Sequence, residues 1–292
     1  MAGVSKGAGA SKGPGDENFP VGSWLLAARH RPHVAAFYAF ARTADDIADD
    51  PDLPAAEKLD RLDRLAAALA EDEGAGVAHR LRRSLAAAGV PAIHAFDVLD
   101  AFRQDARQPR YPDWASLMAY CERSAAPIGR FLLDLHREDR ALWPASDPLC
   151  AALQVLNHLQ DLGEDRRRLD RVYLPQDWLA AEGAADGDLD RKESSPALRR
   201  VVNRCLDGVN ALLLRSRPLA AGLGSRRLAA EAAVIQAIAE RLARCLRRGD
   251  PLATRVRLGR AGQAAAAATG LCRVVGDRLR GEPGMTARAA GR

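Results

Sequence analysis

The chain has 292 residues, a formal charge of +5, and 48% hydrophobic but only 5% aromatic residues. No apolar run approaches the roughly 18 residues of a membrane span, and the mild basicity suits an anionic substrate or surface without calling for nucleic acid, since no aromatic-interleaved basic motif occurs. Five scattered cysteines without a CxxC pair fit reduced thiols in the cytosol better than a disulfide framework, and no Cys/His pair has zinc-ligand spacing.

Residues 1–17, MAGVSKGAGASKGPGDE, read as a flexible tail of small residues and glycines. They hold no apolar segment of a secretory signal, and GAGASKG lacks the spacing of a phosphate loop. Order is expected from about Asn18. Pro32 is placed to open a helix and Pro51 to close it. Residues 53–72, 91–106 and 114–136 have helical periods, and 146–168 starts on Asp147-Pro148. Residues 183–196 are polar and predict a loop. Three or so helices follow to about Arg280, and 281–292, with Gly281, Pro283 and Gly284, form a second tail. Ala, Leu and Arg dominate and strand-like alternation is nowhere sustained, so the fold class is all-α.

Two segments place charge where a core should be. Tyr38, Arg42, Asp45, Asp46 and Asp49 fall on one helix face, amid Ala, Phe and Ile. Gln154, Asn157, Asp161 and Asp165 repeat the pattern among Leu and Val, and Arg171 and Tyr173 follow at once. A helix apolar nearly all round is buried, and a buried polar stripe needs a partner. Two such stripes predict two helices facing each other across a cavity. Carboxylates with little Cys or His favour a hard cation, Mg²⁺ or its substitute Mn²⁺, which bridges to phosphates. Arg and Tyr in the stripes can grip phosphate oxygens, and the apolar walls suit an apolar group on that diphosphate.

ARTADDIADD (41–50) and NHLQDLGEDRRRLDRVYLP (157–175) resemble the two aspartate-rich motifs of the squalene/phytoene synthase family, the head-to-head isoprenyl diphosphate enzymes. The first matches D-D-x-x-D at Asp45, Asp46 and Asp49. The second matches N-x-x-x-D-x-x-x-D at Asn157, Asp161 and Asp165. The resemblance implies a single-domain helical bundle over 18–280 around a deep apolar cavity. It implies that these six residues hold Mg²⁺, with Asp45, Asp49, Asp161 and Asp165 catalytic. Tyr38 and Arg42 match the family's tyrosine and arginine before the first motif, and Arg171 and Tyr173 join them as diphosphate-binding candidates.

Within the family, Gln160 stands where Arg is commoner, and ENFP (17–20) replaces an early Ser-Phe. These features, with LDRVYLP, are most similar to the bacterial hydroxysqualene synthase branch linked to hopanoid synthesis. That branch implies presqualene diphosphate and water as substrates, hydroxysqualene as product and no NADPH. Two other readings stand beside it: condensation of two farnesyl diphosphates to presqualene diphosphate, squalene or phytoene, and a non-catalytic scaffold, which the two intact motifs disfavour. The expected location is cytoplasmic, peripheral at the inner membrane face, with pathway enzymes as partners; Arg199, Arg200, Arg241, Arg244, Arg247 and Arg248 read first as a solvated face and, as the alternative, as a docking face. His158, one residue off the Asn157 face, is expected to be packed rather than catalytic.

Overall fold

The computed structural model describes residues 26–71 and 73–279. The expected tails and the ENFP segment lie outside the described residues. The first helix, α1 (Arg31–Ala48), has Pro32 in its first turn, where a missing N–H is harmless, and ends at Asp49, ahead of Pro51. The helices α2 (Ala55–Ala70) and α4 (Ile93–Asp105) follow the periodicity. Between them stands α3 (Val77–Ala88), which the sequence reading does not predict. It is short, buries Ala78, Leu81 and Leu85, and is bounded by Gly76 and Gly89, both at positive φ.

The single helix expected over 114–136 is two, α5 (Trp114–Ser124) and α6 (Ala126–Leu135). Pro127 cannot donate to the carbonyl of Arg123, so the chain breaks at Ala125. The next helix, α7 (Trp143–Gln160), starts before Asp147-Pro148; Pro148 lies inside it, and Asp147 pairs with Arg130 at 2.6 Å instead of capping. It bends at Asp161 into α8 (Leu162–Leu169). Backbone bonds continue across the bend, from Asp161 N–H to the Asn157 carbonyl and from Asp165 N–H to the Asp161 carbonyl, at 3.0 and 2.8 Å.

Two short parallel strands, β1 (Arg110–Tyr111) and β2 (Val172–Pro175), clip the chain beyond α8 against the end of α4. The expected loop holds only a 3₁₀ turn at Asp186–Asp190. The rest comprises α9 (Gln176–Glu182), α10 (Pro196–Ser216), α11 (Pro218–Gly222), α12 (Arg226–Arg248) and α13 (Arg260–Leu279). Ser195 and Ser225 cap α10 and α12 by accepting from the N–H groups of Leu198 and Leu228.

One buried apolar cluster runs from Leu26 to Leu246 and joins all the long helices except α13. In it α7 packs on α6, α10 and α12, while α1 packs on α3 and α4. Phe37 of α1 stacks on Phe131 of α6 at 4.3 Å, so α6 ties the two halves together. The helix α13 closes on α12 through a smaller cluster of Val234, Ala237, Ile238 and Ala266.

Candidate active site

The two polar stripes meet in one cavity of about 460 Å³. Arg42, Asp45, Asp46 and Asp49 reach it from the last turns of α1. Gln154, Asn157 and His158 come from the end of α7, Asp161 from the bend, Asp165 from α8, Arg171 from the residue before β2, and Tyr173 from β2. Tyr38 does not line this cavity. It lies in a second, apolar cavity of about 320 Å³, walled by Val34, Phe37 and Ala41 of α1 and by Leu149, Cys150 and Leu153 of α7.

The two cavities share walls. Along α1 the lining passes from apolar to acidic between Ala41 and Arg42, and along α7 between Leu153 and Gln154. The same two helices therefore present hydrocarbon over one stretch and oxygen over the next.

Arginines counterbalance the aspartates. Arg42 reaches Asp45 at 2.7 Å and Asp46 at 2.9 Å. Arg171, 5% exposed, bonds Asp49 at 2.5 Å and the Ala48 carbonyl at the end of α1 at 2.8 Å. Arg255, from the segment after α12, bonds Asp161 at 2.8 and 3.1 Å. His158 stacks on Tyr173 with ring centroids 3.5 Å apart, and its Nδ1 lies 3.8 Å from Asp165.

Negative charge still accumulates. Burial, then Asp49, push the Asp45 carboxyl up to about 7 against the pull of Arg42. Burial likewise raises Asp165, against His158. Burial opposes the charge on Arg171, but Tyr173, Asp105 and Asp49 outweigh it and hold the guanidinium protonated. Carboxyls raised by burial and by one another are oxygen donors short of positive charge, which fits a hard divalent cation. Among the described residues no three acidic, His or Cys side chains already converge on one point. Gathering them around a cation requires the arginines to let go or to share.

The cavity lining also includes residues that were not among the site candidates. Asp105, at the end of α4, is buried and accepts from Tyr120 Oη at 2.8 Å and Tyr173 Oη at 2.9 Å. Burial raises its carboxyl, against Arg171. Its signal was an aspartate on the same apolar face of α4 as Val98 and Ala101. Tyr120 gave no signal apart from a tyrosine in a buried helix. His158, expected to be packed, is packed on Tyr173 and also faces the cavity. Gln160 is buried and donates to the Val256 carbonyl at 2.6 Å, which holds the segment carrying Arg255 against the bend.

A two-part cavity of this kind, acidic at one end and apolar at the other within a helical bundle, is the architecture of an isoprenyl diphosphate enzyme. The chain belongs to the squalene/phytoene synthase family, whose model matches residues 13–261. It is 50% identical over 244 residues to hydroxysqualene synthase from Rhodopseudomonas palustris, covering 83% of this chain and 84% of the relative. Identity to hydroxysqualene synthase from Zymomonas mobilis is 45% over 253 residues, covering 85% and 84%. A crystal structure described as squalene synthase HpnC from Alicyclobacillus acidocaldarius superposes with a TM-score of 0.70 at 30% identity, covering 78% of this chain and 87% of that one.

Proposed function

We propose that this protein converts presqualene diphosphate and water into hydroxysqualene and diphosphate. The observation that carries the reading is the handover from apolar to acidic lining along both α1 and α7. It matches a substrate with a hydrocarbon body and a diphosphate head, and the relatives at 50% and 45% identity are named for this product.

In this reading Asp45, Asp46, Asp49, Asn157, Asp161 and Asp165 would hold Mg²⁺, or Mn²⁺ in its place. The metal would neutralise charge on the departing diphosphate. Arg42, and Arg171 where it can be spared from Asp49, bind diphosphate oxygens. Asp105 fixes the hydroxyls of Tyr120 and Tyr173 at the floor of the acidic cavity. Phe37, Leu149 and Leu153 keep bulk water from the cation left behind. Tyr38, on the apolar side, contacts the hydrocarbon near the head. No NADPH enters.

The test is incubation with presqualene diphosphate and Mg²⁺ in ¹⁸O-water without NADPH, which should yield a labelled C30 alcohol and free diphosphate. Squalene that depends on NADPH, or turnover of farnesyl diphosphate alone, would favour the condensation reading, which the relative described as a squalene synthase supports.

We read the described residues as one helical domain in the cytoplasm that touches the inner membrane face and neighbouring pathway enzymes. No helix among the described residues is long and apolar enough to cross a membrane. Of the arginines expected to dock, Arg199, Arg200 and Arg247 bond within the protein, while Arg244 and Arg248 are exposed.

A further inference from the structure

The chain through α1 passes three zones in order. Arg42, Asp45, Asp46 and Asp49 line the acidic cavity, and Val34, Phe37, Tyr38 and Ala41 line the apolar one. Ahead of them Arg29, His30 and His33 line neither. They belong to two adjoining hollows of about 380 and 500 Å³ that share Arg29 and His136. Their order along the helix puts these hollows at the end of the apolar cavity farthest from the aspartates. Two other segments make the same change of lining. Leu132 and Leu133 face the apolar cavity, and His136 and Arg137 the hollows; Leu223 and Leu228 face the cavity, and Ser225 and Arg227 the hollows.

Positive charge is left uncompensated there. Arg29, Arg137 and Arg227 are exposed, and among the described residues no Asp or Glu lines either hollow. Arg29 Nε donates to His30 Nε2 at 3.1 Å, a neutral partner that does not balance its charge. Glu138, next along the chain from Arg137, is taken up by the N–H groups of Gly224 and Ser225 at 2.9 and 2.7 Å. Burial pushes the His30 imidazole down to about 4, and His136, Arg29 and His33 all act in the same direction. Elsewhere surface arginines meet carboxylates, as Arg61 meets Glu57, Arg103 meets Asp63 and Arg247 meets Asp207.

We propose that this cationic face docks on a membrane through the phosphates of anionic phospholipids and so sets the apolar end of the cavity against the bilayer. The proposal rests on the reading above that the protein touches a membrane and makes an apolar product, and it names the surface. Exposed guanidiniums without carboxylate partners suit lipid phosphates, which they can bind in pairs of hydrogen bonds. A C30 product that has lost its diphosphate keeps no hold on the arginines of the acidic end and is poorly soluble in water. A bilayer at the opposite end of the same apolar channel gives it a solvent without a passage through water.

The test is co-sedimentation of the full chain with vesicles. Wild type should bind vesicles of equal phosphatidylglycerol and phosphatidylcholine, leave them as salt is raised, and ignore pure phosphatidylcholine. An arginine near an anionic membrane contributes about fivefold to binding, so Arg29→Glu with Arg227→Glu should weaken partition at least about tenfold. Arg29→Gln with Arg227→Gln should fall between that pair and wild type. Arg244→Glu with Arg248→Glu, the same charge change on the exposed end of α12, should stay within about threefold of wild type. Equal losses in the two Glu pairs would reduce the effect to general attraction of a basic chain and overturn the proposal. So would a loss confined to the Arg244 and Arg248 pair, equal binding to pure phosphatidylcholine, or no binding at all. A wild type that ignores vesicles but is stabilised by inorganic phosphate through Arg29 and Arg227 would have a soluble-anion site instead. Turnover of presqualene diphosphate in detergent with Mg²⁺ is read separately and should match wild type in the Arg29 and Arg227 pair; a fall of more than about tenfold there would make the face part of substrate binding and overturn docking. Wild type without labelled alcohol in that assay would sink the hydroxysqualene reading and leave the vesicle result standing.

Discussion

Arg42 and Arg171 both face aspartates of the first motif, but they stand in different surroundings. The Arg42 side chain is 26% exposed and its partner Asp46 is 55% exposed, whereas the Arg171 side chain is 6% exposed and also closes the end of α1. An ion pair open to solvent contributes little to stability, and breaking a buried one strands a charge. Arg42→Ala should therefore lower stability by no more than about 1 kcal/mol, and Arg171→Ala by roughly 3 kcal/mol, in thermal melts without divalent ions. Equal losses would remove the distinction between a ligand-facing and a structural arginine. Asp45 gives a second prediction. Its carboxyl is raised from 3.8 to about 7, so its stabilising contribution is full below about 4 and is lost as pH rises through 7. A cation needs the ionised form, so Mg²⁺ binding should expel a proton at pH 6 and almost none at pH 8. Calorimetry in two buffers of different ionisation enthalpy reads this directly, and proton release that does not change with pH would exclude Asp45 as a ligand.

At the scale of elements, the long apolar helices were legible and their interruptions were not. The stripes on α1 and α7 followed from spacing alone, because a 3.6-residue period survives whatever packs beside it. The break at Ala125 had a local cause in Pro127 that the periodic pattern masked. The bend at Asp161 has no such cause. There Arg255 draws in the aspartate across 94 positions of chain, and Gly163 lets the segment approach, a Cβ on it meeting Leu252 at 3.2 Å. The strand pair depends on two segments far apart in sequence, so no window shows it. Small residues likewise fix helix spacing without a periodic trace. A Cβ at Gly270 of α13 would lie 2.6 Å from the Ala233 carbonyl oxygen of α12, a backbone atom that cannot rotate away. Gly270→Ala should push α13 outward and cost about 1–3 kcal/mol. Because α13 lines neither cavity, diphosphate release per folded molecule should persist. A melting temperature equal to that of wild type would mean that α13 is not held at this spacing.

Across the whole molecule, a chain with a net charge of +5 gathers seven aspartates at one cavity and brings arginines to them from α1, from the residue before β2 and from beyond α12. In the proposed reading these guanidiniums hold the place of a cation, and they are also the groups a diphosphate would take. Diphosphate that draws Arg42 and Arg255 to itself releases carboxylates to metal, and metal that takes the carboxylates releases arginines to diphosphate. The two ligands should therefore bind cooperatively, and a tenfold coupling corresponds to about 1.4 kcal/mol. Inorganic diphosphate and Mg²⁺ together should raise the melting temperature by more than the sum of their separate shifts. Because the two also associate in solution, Arg255→Ala supplies the control. It takes a competing cation from Asp161, so Mg²⁺ alone should stabilise this variant more than wild type, while the further gain on adding diphosphate should shrink. If Arg255→Ala responds to Mg²⁺ alone as wild type does, the pair is structural, and the exchange of arginine for metal at the bend is wrong.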